Sequence, residues 1–159
     1  MPATELPVIG WREWVGLPDL GIPAIKAKVD TGARSSSLHA LDIELFRRGE
    51  THMVRFKVYP FQRDRRRAVT AEAVLLGRRL VRNSSGQEEF RPIIRTSIEV
   101  MGRAWLIYLT LARRDAMGFR MLLGRRAVRR KFLLDPGRSF LTGKARVPAA
   151  RKRKQKPSR

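Results

Sequence analysis

Ile25-Lys26-Ala27-Lys28-Val29-Asp30-Thr31-Gly32-Ala33 decides the reading of this 159-residue chain. An apolar-rich strand runs into Asp-Thr-Gly and so presents one carboxylate at a tight turn. Gly32 lets the backbone pack closely there, and the Thr31 hydroxyl is available to brace the loop. Paired carboxylates that hydrolyse a peptide bond need this arrangement twice, one acting as base on a water and the other as acid. The motif occurs once, so a second copy must come from another chain. The competing reading is an Asp that only caps a turn.

Working outward, residues 8–15 and 22–29 read as strands separated by the turn-rich Leu17-Pro18-Asp19-Leu20-Gly21. Residues 38–43 alternate apolar and polar. Residues 52–61 alternate again, with Val54, Phe56, Val58 and Pro60 on one face and Met53, Arg55, Lys57 and Tyr59 on the other. Gln62 to Arg67 is a charged turn, and Ala68 to Val81 alternates more weakly. Past the turn signal at 82–87, residues 90–100 and 104–111 form a strand pair joined by Met101-Gly102-Arg103. Met121-Leu122-Leu123 precedes Gly124, and Arg125 to Phe132 is the one convincing helix. Pro136-Gly137 is a turn between Leu133-Leu134-Asp135 and Ser139-Phe140-Leu141. Many short strands with one short C-terminal helix predict an all-β, barrel-like domain over 1–143.

The chain lacks cysteine, which excludes disulfides, thiolate chemistry and cysteine-based zinc sites. Met1 to Ile9 shows no signal-peptide pattern, and no apolar run approaches the roughly 20 residues that cross a bilayer. A cytoplasmic protein with no membrane partner is expected. The net charge of +21 is unevenly spread: residues 144–159 carry eight basic residues and no acid, leaving +13 on residues 1–143. A disordered basic tail of this kind favours phosphate backbones or acidic surfaces, or else only keeps the chain soluble. Nucleic-acid contact through the tail is one expectation, although no RNA-binding motif is present.

Asp30–Ala33, the Gly-bearing turn Ser84-Ser85-Gly86-Gln87, and Leu122-Leu123-Gly124-Arg125 before a helix together resemble the retropepsins, homodimeric aspartic proteases of retroviruses. A closer resemblance covers nearly the whole chain. Gly10-Trp11-Arg12-Glu13, Ala27 to Arg34, Ser37-Leu38-His39-Ala40, Asn83-Ser84-Ser85-Gly86, and Arg114-Asp115-x-Met117 before Met121 to Arg125 are similar to one bacterial family. It carries the older name of ATP-dependent zinc proteases and is associated with RimK-type ATP-grasp ligases that add glutamates to a ribosomal protein. Its members are regarded as retropepsin-like aspartic peptidases. The resemblance implies a closed β-barrel and a homodimer with Asp30, Thr31 and Gly32 catalytic in each subunit. Lys28, Ala33 and His39 would neighbour the catalytic loop. Ser84 to Gln87 would form a flap, and Gly124 and Arg125 would support the site, Arg125 through a structural ion pair. It also implies a protein or peptide substrate of acidic or polyglutamyl character, and an ATP-grasp ligase as partner.

Two departures from the viral pattern stand out. The stretch from Ala40 to Val81 is longer and is expected to add a hairpin. Lys28 replaces an apolar residue two positions before Asp30, so the two side chains should share a face of the strand. Either the ammonium favours the Asp30 carboxylate or a twist turns it to solvent.

Rival chemistries lack parts. A zinc site would have to combine His39, His52 and a carboxylate, with no His-Glu-x-x-His present, so no metal or cofactor is expected. His39 reads instead as a packed neighbour of the loop and His52 as a surface strand residue. There is no nucleotide-binding Gly-rich loop, and the loop serines lack a nucleophile elbow, which leaves them to satisfy backbone groups. Asp115 is either a second carboxylate within the chain or a salt-bridged turn residue, Asp135 is a turn former, and Trp11 and Trp14 are core or interface aromatics. The expected function is an aspartic-type endopeptidase. The alternative is a non-catalytic basic module that docks a ligase, a ribosomal protein or RNA.

Overall fold

A computed structural model describes residues 5–61, 67–82, 84–113 and 118–143. Asp115 and the basic stretch 144–159 lie outside these. The strands are β1 (Val8–Gly10), β2 (Arg12–Leu17), β3 (Ile22–Asp30), β4 (Ser36–His39), β5 (Leu41–Arg48), β6 (Thr51–Val58), β7 (Val69–Val74), β8 (Gly77–Arg82), β9 (Glu88–Val100), β10 (Arg103–Ala112), β11 (Met121–Gly124) and β12 (Leu133–Asp135). The helix α1 is a single turn, Arg125–Val128. No helix of the described residues is long and apolar enough to cross a membrane.

The strands run in the order β10-β4-β11-β3-β2-β9, and β9 pairs back onto β10, so the sheet closes into a six-stranded barrel. β8 adds to the outside of β9. The core comes from the period-two alternation of these strands. In β9 the side chains of Pro92, Ile94, Thr96, Ile98 and Val100 are buried while Arg95 and Glu99 face out. In β3 the phase slips: Ile22 and Ala24 are buried, then Ile25, Ala27 and Val29. A register shift between Val15 and Leu17 in the facing strand absorbs the slip. Met101 (φ 54°) and Gly102 (φ 76°) make the tight turn from β9 to β10 with both residues left-handed, as a twisted two-residue hairpin requires.

The stretch after Ala40 holds more than the expected hairpin. β5, β6 and β7 form a separate three-stranded sheet. The weak alternation of residues 68–81 is in fact two strands in two sheets: Leu75 N–H bonds to His52 O (2.9 Å) and Leu76 N–H to Ile93 O (2.9 Å). Val54, Phe56 and Val58 of β6 are fully buried, as their spacing predicts. Met53, read on the outward face, is buried as well.

The helix is shorter than the expected span of 125–132. Arg129 is extended (φ −61°, ψ 139°) and Arg130 left-handed (φ 66°), which turns the chain so that Phe132 packs on Trp105 with ring centres 5.7 Å apart. β12 then pairs in parallel with β1. Asp135 forms its turn as read, its Oδ1 accepting from Gly137 N–H at 3.0 Å. Residues 139–143 cross β2, where Phe140 stacks on Trp14 at 6.1 Å. Glu13, fully buried, holds them there: its carboxylate accepts from the backbone N–H of Gly10, Leu141 and Thr142 and from the Thr142 hydroxyl, at 2.6–3.0 Å.

Candidate active site

Asp30 ends β3 at the point where parallel β11 ends in Gly124, and the two residues are partners in register. The chain then turns sharply. Gly32 N–H donates to Asp30 Oδ1 at 3.0 Å and Ala33 N–H to Asp30 O at 3.1 Å. Asp30 is half-buried, and its Oδ2 accepts no hydrogen bond among the described residues. A carboxylate with one oxygen fixed by the backbone and the other unengaged is oriented without being neutralised by a cation.

The loop is gripped from behind by main-chain bonds. Arg125 N–H bonds to Ala33 O (2.7 Å) and Arg126 N–H to Arg34 O (3.2 Å). Ser36 Oγ accepts from Gly124 N–H at 2.9 Å, the backbone-satisfying role expected of the loop serines. Gly124 is required by space, since a Cβ there would run into the Ser35 carbonyl.

Arg125 makes no ion pair among the described residues, in place of the structural ion pair expected of it. Its Nη1 donates to the Thr31 carbonyl at 2.8 Å. Gly32 N–H already holds one oxygen of Asp30, and the loop carbonyl is the acceptor that faces the guanidinium. The bracing expected of the Thr31 hydroxyl is therefore performed by the Thr31 carbonyl, and no bond from that hydroxyl occurs among the described residues. Lys28 is half-buried on the Asp30 face of β3, and the described ion pairs do not include the two. His39 is buried at the end of β4, its backbone N–H donating to Arg120 O at 2.7 Å, and His52 is exposed on β6. Among the described residues no group of three or more His, Asp or Glu side chains lies close enough to hold a metal. Trp11, half-buried, meets Phe119 edge-on at 5.9 Å.

β8 and β9 form a long hairpin whose exposed tip carries Ser84, Ser85, Gly86 and Gln87. Gly86 is left-handed (φ 88°) with open space around it. The Arg82–Glu88 ion pair at 2.9 Å closes the hairpin below the tip. Nearer the base, Arg79 Nη1 donates to Ser35 Oγ at 3.0 Å and ties the hairpin to the loop after Asp-Thr-Gly. Between them lies a groove of about 630 Å³ lined by Ser35, Arg79, Ile93, Tyr108, Arg126 and Arg129 among others. Asp30 stands outside this groove, which starts five residues further along the same loop. Nothing in the sequence marks Arg79, Arg126 or Arg129 as groove residues, because each looks like any other arginine in a chain rich in arginine.

A strand into Asp-Thr-Gly and a strand into Gly-Arg and one helical turn thus meet at one carboxylate on a closed barrel, and a Gly-tipped hairpin is tied to the same loop at Ser35. The profile of the RimB-like family, described as retropepsin-like aspartic endopeptidase RimB, matches residues 8–145. The chain belongs to the RimB-like family. Relatives named probable alpha-L-glutamate ligase include one from Desulfotalea psychrophila, 48% identical over 129 residues, covering 81% of this chain and 28% of the relative. One from Shewanella pealeana is 46% identical over 136 residues (86% and 30%), and one from Parasynechococcus marenigrum 48% over 139 residues (87% and 30%). This RimB-like chain therefore spans less than a third of the curated relatives it matches. The crystal structure of Lpg0085 from Legionella pneumophila, a DUF785 protein of unknown function, superposes with a TM-score of 0.71 at 26% identity, over 87% of this chain and 99% of that one.

Proposed function

We propose that this RimB-like chain is an aspartic-type endopeptidase that works as a homodimer, with Asp30 of each subunit facing its twin across a twofold axis. The observation that carries the reading is the geometry of Asp30: a half-buried carboxylate, fixed through Oδ1 by the Gly32 amide and free at Oδ2, on a loop pinned by α1. Two such groups brought together share a proton, because like charges at short range cannot both ionise. The ionised member then takes a proton from a bound water as it attacks the scissile carbonyl. The protonated member donates to the carbonyl oxygen. The Gly86-tipped hairpin closes over the peptide and excludes bulk water.

The substrate we propose is an acidic, glutamate-bearing peptide. Arg79, Arg126 and Arg129 line the groove beside the site and make no ion pair among the described residues. The names of the relatives suggest a source for such a peptide, since the matched region makes up 28–30% of chains named probable alpha-L-glutamate ligase. An ATP-grasp glutamate ligase is accordingly the partner proposed, in the cytoplasm. In the alternative reading, a docking module, the unpaired arginines would bind such a ligase without cleavage.

Cleavage of a polyglutamyl peptide by wild type and Asp30→Asn separates the readings. Asp30→Asn is expected to abolish turnover while leaving peptide binding intact, and turnover per wild-type chain is expected to rise with protein concentration until dimers saturate. Equal turnover by the Asn variant would refute the peptidase reading.

A further inference from the structure

β9 is left without a strand partner along part of one edge. The edge facing β10 is paired from Ile93 to Val100. On the opposite edge β8 reaches no further than Ile93, and β2 pairs only at Glu99. In an antiparallel ladder, alternate residues direct both main-chain groups to the same side. Leu76 N–H donates to Ile93 O at 2.9 Å and Ser97 N–H to Asp19 Oδ2 at 3.2 Å, so the main-chain groups of Ile93, Arg95 and Ser97 point away from β10. Arg95 is the middle one of the three. Its N–H and C=O have no partner on this edge among the described residues.

A cavity of about 320 Å³ opens at this point, lined by Asp19, Leu20, Glu72, Val74, Leu76 and Arg95 among others. It lies where the three-stranded sheet, β9 and the 3-10 turn Pro18–Leu20 come together. Its charges are not cancelled internally. Glu72 is taken by Arg48 (2.8 Å) and Arg55 (2.9 Å). Asp19 gives Oδ2 to the amide and hydroxyl of Ser97, the latter at 2.9 Å, and its Oδ1 accepts nothing among the described residues. The Arg95 guanidinium has neither an ion pair nor a hydrogen bond among them. Asp19 and Arg95 thus line one cavity without pairing to each other. The apolar wall is also uncovered, with Val74 48% and Leu76 49% exposed.

We infer that this cavity binds a free α-amino acid with an aliphatic side chain. The bare stretch of β9 is one residue long, because Leu76 closes it at Ile93 and Asp19 closes it at Ser97. A longer strand has no room to pair there, and a single amino acid does. Its ammonium suits Asp19 Oδ1 and the Arg95 carbonyl. Its carboxylate suits the Arg95 amide and the guanidinium, whose planar fork matches two carboxylate oxygens. The side chain then covers Leu20, Val74 and Leu76, the apolar wall that such a pocket needs beside a few placed polar groups. A simple anion would leave Asp19 unanswered, and a simple cation would leave Arg95 so. The zwitterion answers both. The cavity shares only Leu76 with the groove beside the active site, so binding does not engage Asp30.

The test is an amide-resolved NMR titration of the full chain with L-leucine. The amides of Leu76, Arg95 and Ser97 should shift together. The Arg95 amide should exchange with solvent faster than those of Ile94 and Thr96 in the free protein, and slow down when leucine is bound. Leucinamide, which lacks the carboxylate, and N-acetyl-leucine, which lacks the ammonium, should each bind roughly 10–100-fold more weakly. Glycine, with no side chain to cover the wall, should lose about as much. Arg95→Gln, at an exposed position, should weaken leucine by a similar factor and leave the rest of the spectrum unchanged. The inference fails if leucine shifts none of these amides, or if Arg95→Gln binds it like wild type. It fails equally if either blocked derivative or glycine binds as tightly as leucine, or if the Arg95 amide is already protected in the free protein. No turnover is involved, so the result is independent of the peptidase reading.

Discussion

Glu13→Gln perturbs one buried group whose surroundings fix the size of the effect. Oε2 accepts from the amides of Gly10 (2.6 Å) and Leu141 (2.9 Å), and Oε1 from the amide and hydroxyl of Thr142 (3.0 Å each). An amide side chain must point its NH2 at one of these pairs. It will choose Thr142, because a hydroxyl can rotate from donor to acceptor and a backbone N–H cannot. One backbone donor is then left facing another donor, at a cost of about 1–3 kcal/mol, and the remaining bonds lose their charge assistance. A total of roughly 2–4 kcal/mol lowers the melting temperature by about 5–15 °C for a domain of this size. Denaturation of the full chain measures the loss. Hydrogen exchange should place it first at Leu141 and Thr142, the residues that Glu13 holds across β2. A Gln variant that melts with wild type, or that loosens evenly throughout, would refute the claim that this carboxylate fastens the C-terminal crossing.

Gly124→Ala should lower turnover and cost about 1–3 kcal/mol of stability or more, because the added Cβ meets the Ser35 carbonyl while the neighbouring amides are already bonded to the loop. Gly77→Ala, in open space, is the matched control and should melt with wild type. Hydrogen bonds from Arg48 and then Arg55 hold Glu72 below the ordinary carboxylate range. Its contribution is present at neutral pH and is lost as the pH falls through its lowered pKa. The melting-temperature difference between wild type and Glu72→Gln should accordingly shrink in acid, and a difference independent of pH would show that the pair of arginines does not act through charge.

Legibility tracked the range of the interaction concerned. Strands with one buried face, β6 and β9, announce themselves by alternation, and Met101-Gly102 announces its turn. The Asp-Thr-Gly loop and the Gly-Arg at the head of α1 are equally visible, because each is a local backbone requirement. What stayed hidden depends on partners far along the chain. β7 and β8 read as one weak strand because their boundary, at Leu75 and Leu76, is set by which sheet each amide reaches. The Arg125 bond to the Thr31 carbonyl joins residues 94 positions apart, and the choice of a carbonyl over a carboxylate is made only once the Gly32 amide has taken Asp30 Oδ1. The short helix is a tertiary override too, since burial of Phe132 against Trp105 bends the chain out of a segment whose residues favour helix.

The arrangement also bears on what a second subunit would have to do. The loop bearing Asp30 is fixed within one chain by its own turn, by two amides of α1 and by the Arg125 guanidinium, so a partner need not shape it. What it would add is a second carboxylate and the coupling that lets one proton serve both. Under the proposed mechanism, weakening the association should then lower the fraction of active molecules at a given concentration and leave kcat at saturation unchanged. A substitution on the loop supports, by contrast, should lower kcat at any concentration. Dilution series of wild type and Gly124→Ala separate these two behaviours, and a loop variant rescued by concentration alone would mean that the site is built by the partner after all.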